Sequence, residues 1–126
     1  MKPAILLTIK RSARAHYYGE RALAGLRELG DVRLNDSDEA LEGVALVEAA
    51  QGCQVVVSDR QTAAPAALFA ALPQLMVWLR CAVDIRNIDV DAASAAGVLV
   101  TRASPGFVQS VAELVAAVMK AEEASA

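Results

Sequence analysis

A three-layer α/β sandwich around a five-stranded parallel sheet is the fold this 126-residue sequence predicts. Short apolar segments and helical patterns alternate along the whole chain. The apolar segments are apolar on successive residues, as in Cys53–Val57 and Leu75–Leu79, so both of their faces need covering by helices. Leu75–Leu79 and Val98–Thr101 are joined through an Ala-rich helical stretch, the crossover that parallel strands require.

Ala4–Thr8 reads as the first strand. Lys10–Arg14 follow as a basic loop, and Tyr17-Tyr18-Gly19 leads into a helix. Ala22, Leu26 and Leu29 recur there at helical spacing, with Leu23 widening the stripe. Gly30 stands where a C-terminal helix cap belongs, and Val32 and Leu34 mark a short strand toward a sheet edge. Asn35, Asp36 and Ser37 are cap residues for a second helix, and Asp36 with Glu39 has capping-box spacing. That helix is expected to run to Ala50 and to close at Gly52. Cys53–Val57 is the third strand, and Ser58-Asp59-Arg60-Gln61 the polar loop at its carboxyl end. Thr62 is expected to cap a helix carrying Leu68, Phe69 and Leu72. After the strand Leu75–Leu79 comes a polar turn with Asp84, Arg86 and Asn87, then a helix over Val90–Ala96 ended by Gly97, then the strand Val98–Thr101. Ser110 and Glu113 make another capping box, opening a helix with Val111, Leu114, Val115, Val118 and Met119 on one side. The tail from Ala121 is polar enough to fray.

This order of elements predicts the flavodoxin-like strand arrangement 2-1-3-4-5. Ligands of such sheets bind outside the carboxyl ends of the strands, near the switch between strands one and three. The loops Ile9–Arg14, Ser58–Gln61, Cys81–Asn87 and Arg102–Gln109 are therefore where function is sought.

Composition narrows the function classes. The length fits a single domain, and 56% hydrophobic residues with only 4% aromatic suit small helices packed on a sheet. A net charge of −3 without a basic run argues against nucleic-acid binding. The first apolar segment is too short for a signal peptide or a membrane span. Cys53 and Cys81 fit no metal spacing and fall at opposite edges of the predicted sheet, so two reduced thiols in a cytoplasmic protein are expected. One histidine, His16, and two separated cysteines cannot build a Ser-His-Asp set or a metal cluster. His16 reads as an ordinary helix-start residue, because a catalytic base needs a positioned partner. No two glycines have G-x-G spacing and none directly follows the first strand, so the chain is not expected to bind a dinucleotide by itself. A flavin phosphate loop and a phospho-acceptor site are discounted likewise. The segment Ile9-Lys10-Arg11-Ser12 is basic, and Asp59 after the third strand has no acidic cluster to join after the first.

One ordered series of residues goes further. It comprises Leu72-Pro73-x-Leu75, Arg80, Val83, Asn87-Ile88-Asp89, Gly97-Val98-Leu99-Val100-Thr101, Pro105-Gly106 and Ser110-Val111-Ala112-Glu113. The series resembles the substrate-binding domain of the D-isomer-specific 2-hydroxyacid dehydrogenases. The resemblance implies the acid-gripping half of a two-domain reductase that interconverts 2-keto and 2-hydroxy acids. In that family a separate coenzyme domain holds NAD(P) and supplies the catalytic Arg, Glu and His. On this reading the chain carries no catalytic residue, cofactor or metal of its own and is a stand-alone or truncated substrate domain.

The family's Gly-Val-Gly loop presents backbone N–H groups to the substrate carboxylate, a use that clustered donors at a turn suit. Here the matching run is Ala82-Val83-Asp84, and Arg86 replaces the family's Asp before Asn87. Asp84 sets a negative charge where a carboxylate would sit, and a local Asp84–Arg86 pair is the preferred reading of both changes. Ser58, Asp59 and Arg60 occupy the loop that flanks the substrate in the family. The substrate-binding candidates implied are thus Ser58, Asp59, Arg60, Ala82, Val83 and Asp84. The partners expected are a small carboxylate and a second copy of the chain, docked through the 110–120 helix, whose apolar side must be buried. The alternative is a small ligand-binding, regulatory or self-assembling module without enzyme activity.

Overall fold

The computed structural model describes residues 3–12, 20–80 and 85–102. Its elements are β1 (Ala4–Leu7), α1 (Glu20–Leu29), β2 (Asp31–Leu34), α2 (Gly43–Ala50), β3 (Val55–Ser58), α3 (Ala66–Ala71), β4 (Val77–Arg80), α4 (Val90–Ala95) and β5 (Leu99–Arg102). All strand pairs are parallel and the order is β2-β1-β3-β4-β5, the predicted arrangement.

The apolar strands bury both faces. Leu6, Val56 and Trp78 point to one side, into a cluster with Leu46 and Ala50 of α2, Leu68 and Phe69 of α3, and Ala93 of α4. Ile5, Leu7, Val55, Val57, Val77 and Leu79 point to the other, where Leu23 and Leu29 of α1 pack. Each fully buried Val, Leu or Ile contributes about 1.5–3 kcal/mol, so these two layers dominate the stability of the domain. β3 and β4 are buried along their whole length, while β2, at one edge, alternates between exposed and half-buried.

Gly52 and Gly97 take φ of +76° and +78°, conformations that glycine adopts without strain. They end α2 and α4 as the sequence predicts. Gly30 is required for a different reason. A Cβ built on it would lie 2.3 Å from the Pro3 carbonyl oxygen, where Asp31 N–H must donate to start β2 beside β1. Gly30→Ala is expected to cost about 1–3 kcal/mol by overpacking, read as a lowered urea midpoint at unchanged m-value.

Two helix starts differ from expectation for one physical reason: the predicted cap residues are used elsewhere. α2 begins at Gly43, not at the Asp36/Glu39 box, and Glu42 at its cap position makes no side-chain cap bond. Instead Asn35 is buried, and its Nδ2 donates to the carbonyls of Thr8 and Glu39. Ser37 donates from both N and Oγ to Asn35 Oδ1, and its Oγ accepts from Glu39 N–H. Asp38 accepts from Ser12 N–H and pairs with Arg11, tying this loop to the end of β1, where Arg11 and Ser12 already have helical backbone within the stretch read as loop. α3 likewise begins after Pro65, and Thr62 is buried in a network described below. Asp89 does cap α4, accepting from Ala92 N–H at 2.9 Å. The second capping box, at Ser110 and Glu113, and the helix it would open lie outside the described residues.

Arg33 on β2 donates to the carbonyls of Ala49 and Gln51 and so satisfies the C-terminal end of α2. Nearby, Cys53 is buried just before β3. Burial pushes its thiol above the ordinary value of 9.0, partly offset by the Arg33 charge. Because the folded state favours the neutral thiol, its contribution is complete below pH 9.0 and is lost as pH rises through the folded value. Native protein at neutral pH is therefore expected to react slowly with a thiol reagent at Cys53, the reaction accelerating in urea. Fast labelling of the folded chain at Cys53, mapped by peptide mass, would contradict this. Cys81 lies outside the described residues.

Candidate functional site

The carboxyl ends of β1, β3 and β4 are joined by one polar network. At its centre is Arg80, the last residue of β4, only 1% exposed. Its Nε donates to Ser58 Oγ at 3.0 Å. Nη1 donates to Asn87 Oδ1 at 2.8 Å and to the Arg60 carbonyl at 3.2 Å, and Nη2 to the Thr62 carbonyl. Arg80 stands opposite Ser58 in the sheet register and two residues beyond Trp78, so all three side chains lie on one face. The planar fork of donors lets one side chain hold two loops at once, a task a Lys could not perform.

Ser58, Asp59 and Arg60 are brought together here in three distinct environments. Ser58 ends β3 and is fully buried; it accepts from Arg80 and, at 2.8 Å, from Trp78 Nε1–H. Both lone pairs of its hydroxyl are thus occupied, which makes it a strut of the site. Asp59 Oδ1 accepts from Gln61 N–H and from Thr62 Oγ1–H, closing a tight turn. Thr62 spends its one hydroxyl proton on Asp59, so Thr8, 2.9 Å away, donates its own to Thr62 Oγ1. Arg60 is exposed; its carbonyl accepts from both Arg80 and Asn87 Nδ2, while its guanidinium has no hydrogen-bond or ion-pair partner among the described residues.

A backbone latch completes the arrangement. Ala64 N–H donates to the Asn87 carbonyl and Asp89 N–H to the Ala64 carbonyl, a short parallel bridge that locks the loop after β3 to the loop after β4. Ala82, Val83 and Asp84, and with them the Asp84–Arg86 pair, lie outside the described residues. Arg80 and Asn87 belong to the series that carries the family resemblance and Thr62 reads as a helix cap, but the sequence does not show that these three, with Thr8, brace the loops. The signal available was an Arg continuing an apolar strand, which in a sheet covered on both faces must find buried acceptors.

Cations and carboxylates share this edge: Lys10 and Arg11 follow β1, Arg60 follows β3, Arg86 follows β4 and Arg102 ends β5, while Asp36, Asp38, Asp59 and Asp89 lie in the same loops and Asp38 pairs with Arg11. With backbone turns beside it, the exposed Arg60 can attract and orient a small anion. Residues 8–18 contain no glycine, the residue that lets the backbone of a dinucleotide fingerprint approach a pyrophosphate. Among the described residues, no group of three His, Cys, Asp or Glu side chains is placed to hold a metal ion, and no helix is long and apolar enough to cross a membrane.

Fold and network thus define a doubly wound α/β domain whose buried polar hub lies at the carboxyl edge of the sheet. Residues 9–126 match the family described as D-isomer specific 2-hydroxyacid dehydrogenase, catalytic domain, and the chain belongs to that family. A D-3-phosphoglycerate dehydrogenase from Mycobacterium leprae is 34% identical over 94 residues, which are 75% of this chain and 17% of that protein. A structure from Polaromonas sp. JS6 66, assigned to the NAD-binding D-isomer specific 2-hydroxyacid dehydrogenases, superposes with a TM-score of 0.70 at 24% identity, covering 79% of this chain and 30% of its own. The 3-phosphoglycerate dehydrogenase of Entamoeba histolytica, solved with NAD+ bound, gives a TM-score of 0.64 at 17% identity over 81% of this chain and 33% of its own. The chain therefore spans a third or less of the length of these relatives.

Proposed function

We propose that this chain is the substrate-gripping lobe of a D-2-hydroxyacid dehydrogenase-type reductase and has no turnover by itself. The observation that carries the reading is the family match across residues 9–126. It is supported by a braced carboxyl edge that exposes Arg60 at the place where ligands of such sheets bind. The ligand is a small carboxylate, met by Arg60 and by the loops after β1, β3 and β4. Hydride would come from NAD(P)H held by a coenzyme domain, which also supplies the acid–base pair. A cytoplasmic location and a homodimer formed through the 110–120 helix belong to the same proposal.

The test is direct. The purified chain, mixed with NADH or NADPH and a panel of 2-keto acids, should leave the absorbance at the nicotinamide band constant. Consumption of the reduced nucleotide, proportional to chain concentration, would overturn the assignment.

A further inference from the structure

We propose that Arg80 and Asn87 are positioning residues that hold the Arg60 guanidinium in place for anion binding; the proposal rests on the substrate-lobe reading. The geometry is specific to Arg60. Its carbonyl accepts at both lone pairs, from Arg80 Nη1 at 3.2 Å and from Asn87 Nδ2 at 3.0 Å. Asn87 Oδ1 in turn accepts from Arg80 at 2.8 Å, so the three groups close a ring across two loops. On one side of Arg60, Asp59 closes the turn onto Gln61 and Thr62; on the other, Ser58 is clamped by Trp78 and Arg80. The backbone from which the exposed Arg60 side chain projects is therefore fixed at every step. An exposed guanidinium on a mobile loop loses much of its binding energy to ordering, and a fixed backbone removes part of that cost.

Arg80 is too deeply buried to be the contact itself. Asn87 is exposed, is not needed for the core, and already has its backbone carbonyl in the latch with Ala64. Asn87→Ala therefore removes the ring without removing the bridge. The role is distinguished from plain support of the fold by a double-mutant cycle with Arg60→Ala.

Wild type, N87A, R60A and N87A/R60A are titrated with oxalate as the probe anion, and each is checked for an unchanged urea midpoint. N87A should keep the wild-type midpoint within error and weaken oxalate about tenfold. R60A should weaken it at least as much, and the double variant should bind no more weakly than R60A alone. Wild-type affinity in N87A, or a further tenfold loss in the double variant, would overturn the positioning role while leaving the substrate-lobe reading intact. An N87A variant whose midpoint falls in proportion to its affinity would also overturn it, since Asn87 would then only support the fold. Failure of the wild-type chain to bind oxalate would overturn both.

Discussion

Replacing Arg80 with methionine is expected to lower the stability of the domain by about 3–5 kcal/mol, a large share of the 5–15 kcal/mol typical of a single domain. The loss does not come from shape, because methionine fills most of the volume. It comes from acceptors. Ser58 Oγ keeps Trp78 Nε1–H but loses a charged donor, a bond of about 1.5–3 kcal/mol, and the buried Thr62 carbonyl is left unsatisfied at a cost of about 1–3 kcal/mol. The Arg60 carbonyl and Asn87 Oδ1 lie nearer solvent and can be hydrated, so they add little. Arg80→Lys should recover only part of the loss, because one ammonium cannot reach acceptors on both loops. Urea unfolding followed by circular dichroism measures both. A methionine variant within 1 kcal/mol of wild type, on the scale of about 1 kcal/mol for a single net hydrogen bond, would show that the hub contributes little.

Removing the Trp78 side chain should cost about 3–5 kcal/mol, the range for a buried large aromatic cut back to alanine. Trp78 is fully buried on β4, between β3 and β5, and meets Phe69 edge to face, with ring centroids 6.0 Å apart. Its indole N–H also fills one lone pair of Ser58. Trp78→Phe separates the two contributions. It keeps an aromatic ring against Phe69 and drops the donor, and is expected to cost about 1–2 kcal/mol. It is the chain's only tryptophan, so both variants must be followed by circular dichroism instead of fluorescence. A phenylalanine variant as destabilised as the alanine one would mean that the hydrogen bond to Ser58, not the packing, dominates.

The sheet was legible in the sequence because its information is local. Val55-Val56-Val57 and Val77-Trp78-Leu79 are short, apolar on successive residues and rich in β-branched or aromatic side chains, as suits a strand covered on both faces. Gly52 and Gly97 likewise announce their own backbone conformation. The polar residues were less legible because their partners are distant. Asp36 with Glu39, and Thr62, have the spacing of caps, yet the Asn35–Glu39 stretch closes on itself and on Thr8, and Thr62 bonds a residue 54 positions away. Ser58 read as a loop residue flanking the substrate, but it is the buried end of β3, committed to Trp78 and Arg80. Of the three candidates that the structure brings together after β3, Arg60 presents its side chain to solvent. That distinction follows from Arg80, which locally shows only as an Arg continuing an apolar strand, while its acceptors lie 18 to 22 residues upstream.

A titration of the isotope-labelled chain with pyruvate, read by amide chemical shifts, puts the substrate-lobe assignment most directly at risk. Saturable shifts should gather on Ile9–Ser12, Ser58–Thr62 and Ile85–Asp89, the loops at the carboxyl ends of β1, β3 and β4. Shifts gathered instead at the opposite edge, around Gly30 and Gly52–Gln54, or no saturable shifts at all, would contradict it.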